Sequence, residues 1–307
     1  MIKNIFVFVL FSVNILCQQG VYSPAQYFKV KYNNAGIICI DEGPHGTLQS
    51  HKFIRRLISN DTVSNLINYI IVEFVNVKYQ DILDKYILGE NIQPNELKLI
   101  WRNSTQAHSP LFEMPVYLEL LTNIRDINSN LAAGKKIRVL AGDPEFDWGK
   151  INTINDYFKN ISQRDVFPAE LAIKYGIDSS KNILLIYGGE HLLKTSDEKK
   201  DSTFWTIPYY INKRYPGSVI SIGICNSGKQ SVNGTDVPES SILDLSDKSI
   251  NNIFNQFDNY DALYYIGDSK EWRTDIPAKI EKDHWNELNR RSKIVWGEGI
   301  EENLIAK

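Results

Sequence analysis

Two of the five histidines in this 307-residue chain stand where an apolar run gives way to a glycine turn. The run IICIDEGPHG, residues 37–46, carries Glu42 and His45. The run NILLIYGGEH, residues 182–191, ends on Glu190 and His191. A third run, LINYIIVEF at 66–74, carries Glu73 next to its end. Glycine lets a backbone reverse sharply and approach a ligand. Histidine titrates near neutrality and can take a proton from water. A carboxylate alongside fixes the ring tautomer and supports its charged form. Glu42 and His45 therefore read as a base and its orienting acid, with Glu73 and His191 completing the set. The same donors also suit a divalent metal held by His45, His191 and Glu73. Asp143 and Asp268 follow glycines at the ends of apolar runs, where a turn or cap role is the competing reading. Arg164 and Asp165 fall in a helix-like stretch and are supporting candidates, as is Glu190. His51, His108 and His284 have polar neighbours and are expected at the surface.

These residues need a scaffold that brings strand ends together. Apolar runs at 36–41, 66–74, 137–143, 182–191, 218–225 and 262–268 read as strands. Their continuous hydrophobicity suits burial on both faces. Helical periodicity separates them, at about 48–59, at 81–88, 94–102 and 116–127 within 79–131, at 154–175 and at 204–215. Alternating strands and helices predict an α/β fold with a largely parallel central sheet. The block at about 79–133 is expected to be a helical cap insertion, so pocket specificity would lie there. Residues 22–34 read as an irregular approach segment, 226–240 as an exposed loop, and 294–296 as a last short strand. Shifting the chain by 146 positions lays Ile37–Ile40 on Ile183–Ile186, Gly43 on Gly189 and His45 on His191. That echo suggests a pseudo-repeat of two halves. Its consequence is that both histidines lie on one edge of the sheet.

Composition sets the outer limits. Hydrophobic residues make up 43%, charged residues 23%, and the net charge is −3, so nothing argues for nucleic acid as a partner. A small-molecule substrate is the expected partner. The apolar run IFVFVLFSVNIL after Lys3 is too short to span a membrane and suits a signal-peptide core. Residues 1–17 are thus expected to be removed, leaving 18–307 as one exported domain, periplasmic or extracellular, with no transmembrane span. Cys17 at that boundary could carry a lipid, although Leu16 is larger than lipoprotein signals prefer. Cys39 and Cys225 sit in strand-like runs and read as buried apolar residues.

The chain lacks GxSxG, HExxH, GxxxxGK[ST] and GxGxxG, which removes several familiar machineries. What is present resembles the erythromycin esterase-like superfamily. IDEGPHGT is similar to its G-E-x-x-H-G-T loop. IIVEF, VLAGD, QRDVFPAE and LLIYGGEH follow in the family's order, over about residues 36–191. The resemblance implies a hydrolase with His45 activating water against an ester carbonyl. Glu42 and Glu73 would be its supporting carboxylates and His191 a second site histidine. Two departures stand out. Asp41 replaces the usual glycine, and Gly188 stands where the esterases carry a further histidine. The GGEH ending is closer to the related TraB/TIKI and ChaN-like proteins, for which bound metal or haem is the implied alternative. A non-catalytic, ligand-binding member is the third.

Overall fold

The computed structural model describes residues 20–34, 36–196, 201, 205–226, 228, 230–267 and 280–300. The expected signal segment, Cys17 and Asp268 lie outside them. In chain order the elements are β1 Val21–Tyr22, α1 Pro24–Lys31, β2 Ile37–Asp41, α2 Leu48–Ile58, α3 Asp61–Ser64 and β3 Tyr69–Asn76. Then come α4 Gln80–Ile87, α5 Pro94–Arg102, α6 Pro115–Asn130, β4 Arg138–Asp143, α7 Ile154–Ile161, α8 Val166–Ala172 and β5 Ile183–Tyr187. The remainder is α9 Ile207–Arg214, β6 Val219–Cys225, β7 Ser231–Val232, β8 Thr235–Asp236, β9 Ile242–Asp244, α10 Lys248–Ile253, β10 Ala262–Tyr265 and α11 Lys282–Trp296.

An eight-stranded sheet runs in the order β1-β9-β10-β6-β2-β5-β3-β4. The six strands from β10 to β4 are mutually parallel, and β9 and β1 add an antiparallel edge. The expected α/β class with a largely parallel sheet is the one observed. Every residue of β2 and β5 is buried. Their side chains alternate between two cores, as the period of a strand requires. Ile38 and Ile40 pack with α1, α2 and α4–α6 on one face. Ile37, Cys39 and Leu185 pack with α8 and α9 on the other. Helices therefore cover both faces, and the chemistry is confined to the strand ends.

The 146-residue echo has a structural counterpart. β2 and β5 are neighbours, paired Ile37↔Ile183, Ile38↔Leu184, Cys39↔Leu185 and Ile40↔Ile186. Residues matched in the sequence are thus matched in the sheet, and His45 and His191 emerge at one edge.

Several expectations change. Residues 22–34 are not irregular: Pro24 opens α1, and Ser23 with Gln26 closes a reciprocal capping box. The long helix expected at 154–175 breaks between Ile161 and Val166, so Asp165 stands just before α8, its side chain free of capping, instead of lying inside a helix. The loop at 226–240 contains a small hairpin in which Asn233 and Gly234, both at positive φ, join β7 to β8. Residues 294–296 end α11; their helix buries Trp285, Leu288, Arg291 and Ser292, a three-to-four spacing no strand could serve. Among the described residues no helix is long and apolar enough to cross a membrane.

Candidate functional site

β2 delivers the first half of the site. The Glu42 N–H still donates to the Tyr187 carbonyl at 3.0 Å, extending the sheet ladder one residue past Asp41. The chain then reverses through Gly43 and Gly46, at φ of +72° and +75°. Only glycine fits at 46, because a Cβ there would stand 1.8 Å from the Met114 sulfur. The reversal swings His45 back over Glu42, with Nδ1 2.5 Å from Oε1. Glu42 is buried and held from other directions too. His51 Nε2 stands 3.1 Å from its Oε2, and the Tyr117 hydroxyl reaches Oε1 at 3.4 Å. Tyr117 also accepts from the Gly46 N–H at 3.0 Å, tying the carboxylate to its own turn. Burial pushes the Glu42 carboxyl up, but the His45 and His51 contacts outweigh it and hold the pKa at about 2. Burial likewise pushes His45 down, and the Glu42 bond with the nearby Glu73 charge overcomes it, raising the pKa to about 9.

β5 delivers the second half. After Tyr187 the chain turns through Gly188 and Gly189, and residues Gly189–His191 form a 3-10 turn. His191 Nδ1 stands 2.5 Å from Asp165 Oδ1. Burial lowers the His191 pKa, but the Glu73 and Asp165 charges prevail and raise it.

Glu73, on β3, lies between the two histidines. Its Oε1 is 3.4 Å from His191 Nε2 and 4.0 Å from His45 Nε2. Arg164 Nη2 donates to the same oxygen at 2.6 Å, and Gln106 donates to it as well. The Gly188 N–H donates to Oε2 at 2.9 Å. Burial pushes Glu73 up, yet the surrounding cations hold it below the usual carboxylate range.

A cleft of about 520 Å³ opens over this cluster, with His45, Arg164 and His191 among its lining residues. Asp41, Glu190 and Tyr260 line it too.

Six expected residues therefore meet: Glu42, His45, Glu73, Arg164, Asp165 and His191. Glu190 is at the rim and exposed. Asp143 is elsewhere engaged, accepting from the Thr105 N–H at 2.8 Å and hydroxyl at 2.6 Å. Burial raises its pKa to about 7. The three histidines expected at the surface are not there. His51 and His108 are buried, and the His284 side chain is 10% exposed, 3.1 Å from Glu113. His51 has polar neighbours along the chain, Ser50 and Lys52, but α2 turns it inward. On α2 the inward face is Ser50, His51, Phe53, Ile54, Leu57 and Ile58. Gln106, Tyr117 and Tyr260 carried no motif, and only the fold brings them in. Asp41 had a signal, since two adjacent acids rarely end a fully apolar strand.

Glu42, His45 and Glu73 each offer a ligand atom within 4.8 Å of the others, which is the spacing of a small cation site. The donor set fits a cation poorly. Glu42 is taken up by two histidines and a tyrosine, and the Arg164 guanidinium already neutralises Glu73 at 2.6 Å. A divalent ion there would face that guanidinium at close range. Haem fits no better, because only Pro44, Ile224 and Tyr260 put sizeable apolar groups among lining residues that include Asp41, His45, Gln106, Arg164, Glu190 and His191.

No known protein-family model matches the chain, and no curated protein matches it. Solved structures do. A succinoglycan biosynthesis protein superposes with a TM-score of 0.56 at 12% identity, over 79% of this chain and 90% of the other. A Bacillus cereus protein gives 0.53 at 15% identity, over 80% and 93%. An erythromycin esterase in its open conformation gives 0.49 at 11% identity, over 82% and 95%. Likeness this remote speaks for the fold alone.

Proposed function

We propose that this chain is an exported hydrolase of the erythromycin esterase-like type, cleaving an ester or related bond with water activated by His45. One observation supports it above the others. Two histidines, each with Nδ1 2.5 Å from a carboxylate, aim Nε2 toward one buried glutamate beneath a cleft. In this reading neutral His45 takes a proton from water at Nε2 while the oxygen attacks the ester carbonyl. Glu42 holds the ring and supports the imidazolium that forms. Arg164 and protonated His191 supply positive charge where the carbonyl oxygen becomes an oxyanion. Collapse breaks the carbon–oxygen bond to the alcohol, and His45 returns its proton to the departing alkoxide. Acid and alcohol leave with the enzyme unchanged.

The test is a panel of carboxylic esters and amides offered to the purified chain lacking residues 1–17, with and without EDTA. Ester cleavage insensitive to EDTA is expected. Cleavage abolished by EDTA and restored by a divalent metal would overturn the metal-free mechanism. No cleavage of any ester between pH 6 and 10 would overturn the hydrolase reading.

A further inference from the structure

The cleft has a second group of polar residues that the proposed chemistry leaves unused. Asp41 is the last residue of β2, lines the cleft and is only 6% exposed. Its Oδ1 accepts the Gly43 N–H at 2.6 Å. Its Oδ2 has much less. The Tyr260 hydroxyl is 3.5 Å away, and that hydroxyl also lies 3.4 Å from the Gly189 carbonyl. One hydroxyl proton serves one acceptor at a time. Among the described residues no lysine or arginine pairs with Asp41. Lys194, beside Tyr260, is turned to Asp261 at 3.0 Å and to the Tyr260 carbonyl. The wall opposite Oδ2 is kept bare, since a Cβ on Gly189 would stand 2.6 Å from Oδ2 and 2.8 Å from the Tyr260 oxygen.

A buried carboxylate with one oxygen under-satisfied is costly unless something else supplies a donor. Burial accordingly raises the Asp41 pKa to about 6. The local charge balance says what kind of donor. Asp41, Glu42, Glu73, Asp165 and Glu190 stand in or directly behind the cleft, against the three cations His45, Arg164 and His191. Carboxylates outnumber cations even with both histidines protonated. The three cations also cluster around Glu73 and its neighbours, which leaves Asp41, acted on only by the His45 charge among them, and Glu190 as the least compensated groups.

We propose that Asp41, with Tyr260 beside it and Glu190 at the rim, forms a subsite for a protonated amine, so that the substrates are amine-bearing esters. The subsite rests on the hydrolase reading only for the word substrate; amine binding stands without it. An ammonium would give Oδ2 a charged donor, and Glu190 would add attraction at the entrance.

The probe is n-butylammonium compared with n-butanol, which matches its size without the charge. Binding is followed at pH 7.5 by calorimetry and by amide chemical shifts of Gly43 and Gly189. The wild-type chain is expected to favour the ammonium by about tenfold, the scale of one charged hydrogen bond. Asp41→Asn should bring the preference to within about twofold, and Glu190→Gln should lower it only slightly because its charge is solvent-screened. Equal binding of the two probes by wild type overturns the proposal. So does a preference that survives Asp41→Asn. The chemical shifts of wild-type protein decide the matter should Asp41→Asn not fold, since a butylammonium response absent from Gly43 and Gly189 also overturns it. Ethyl 4-aminobutyrate and ethyl valerate then separate the two readings. Selective amine binding with both esters inert keeps the subsite and removes the hydrolase, whereas equal turnover of both esters keeps the hydrolase and overturns the amine-bearing substrates.

Discussion

The ends of β2 and β5 solve one problem with different parts. Each presents a histidine whose Nδ1 lies 2.5 Å from a carboxylate and whose Nε2 faces Glu73. At β2 the carboxylate is local, Glu42, three residues before His45 and 2% exposed. At β5 it is Asp165, brought from the start of α8, with an 18% exposed side chain. Glu42 is further gripped by His51 and Tyr117, whereas His191 shares its surroundings with Arg164, 3.4 Å from Nε2. In the proposed mechanism that difference is a division of labour, with His45, seated over its local carboxylate, exchanging protons and His191, between Asp165 and Glu73, holding its charge.

Removing each ring breaks that comparison most directly. In the proposed mechanism His45→Ala should lower kcat/KM on the best ester by about 10³, the range of a general base. His191→Ala should cost about tenfold to 10², the loss of one stabilising charge, with Asp165 left near solvent. Circular dichroism melts of both variants check the fold. Equal losses would end the proposed division.

The next effect is in pH. His45 acts as a base only when neutral, and its pKa of about 9 keeps it protonated at neutrality. The rate should therefore climb about tenfold per pH unit toward pH 9, some 10² in all from pH 7. Stability moves the other way. His45 titrates higher in the fold than its ordinary 6.5, so its contribution is complete below that value and is lost as pH rises through about 9. Glu42 titrates lower than its ordinary 4.5, so its contribution holds above 4.5 and is lost as pH falls toward about 2. In thermal melts the His45 and Glu42 contributions should both be complete between about pH 4.5 and 6.5, well below the activity maximum. Asp41 and Asp143, raised to about 6 and 7, superimpose a decline as pH climbs from their ordinary 3.8. A rate profile with its rising limb near pH 6.5 would show that the Glu42 contact does not govern His45.

His51 sharpens the β2 half further. It has no counterpart at the β5 end, and among the described residues neither ring nitrogen makes a well-aligned hydrogen bond, although Nε2 stands 3.1 Å from Glu42 Oε2. His51→Phe keeps the ring packing against Tyr117, centroids now 5.0 Å apart, and removes the second histidine on Glu42. About a tenfold loss in kcat is expected, with KM little changed, because Glu42 then orients His45 less firmly. His51→Gln, which keeps a donor, should recover part of it.

The strands were legible because each is a continuous apolar run, and the order of their ends was enough to bring Glu42, Glu73 and His191 together. Helices α4, α5 and α6 were legible in the three-to-four spacing of 81–127. What escaped was whatever depends on a third dimension. β9 is only three residues long and offers no period to count. His51 reads as surface until α2 is rotated. Arg164 and Asp165 read as a helix face because nothing local announces the break before α8. Asp41 was visible as a residue, but its lack of a cation is a property of its neighbours, not of its own segment.

Gly188 offers the finest test, because the 146-residue shift makes its counterpart in the β2 half Glu42 itself. Its φ is −64°, an ordinary value, so backbone strain is not why glycine stands there. An alanine Cβ would meet His45 Cε1 at 3.2 Å and Glu73 Oε2 at 3.6 Å. The His45 ring would have to give by a few tenths of an ångström while its Nδ1 stays tied to Glu42. Gly188→Ala should therefore fold normally and keep the Gly188 N–H on Glu73. It should lose only about threefold to tenfold in kcat/KM, a fraction of what a full ångström of misplacement costs. The loss should shrink in a His191→Ala background if relaxing the β5 turn lets the new methyl move away from His45. Measuring the double variant against both singles gives the coupling between the two strand ends directly.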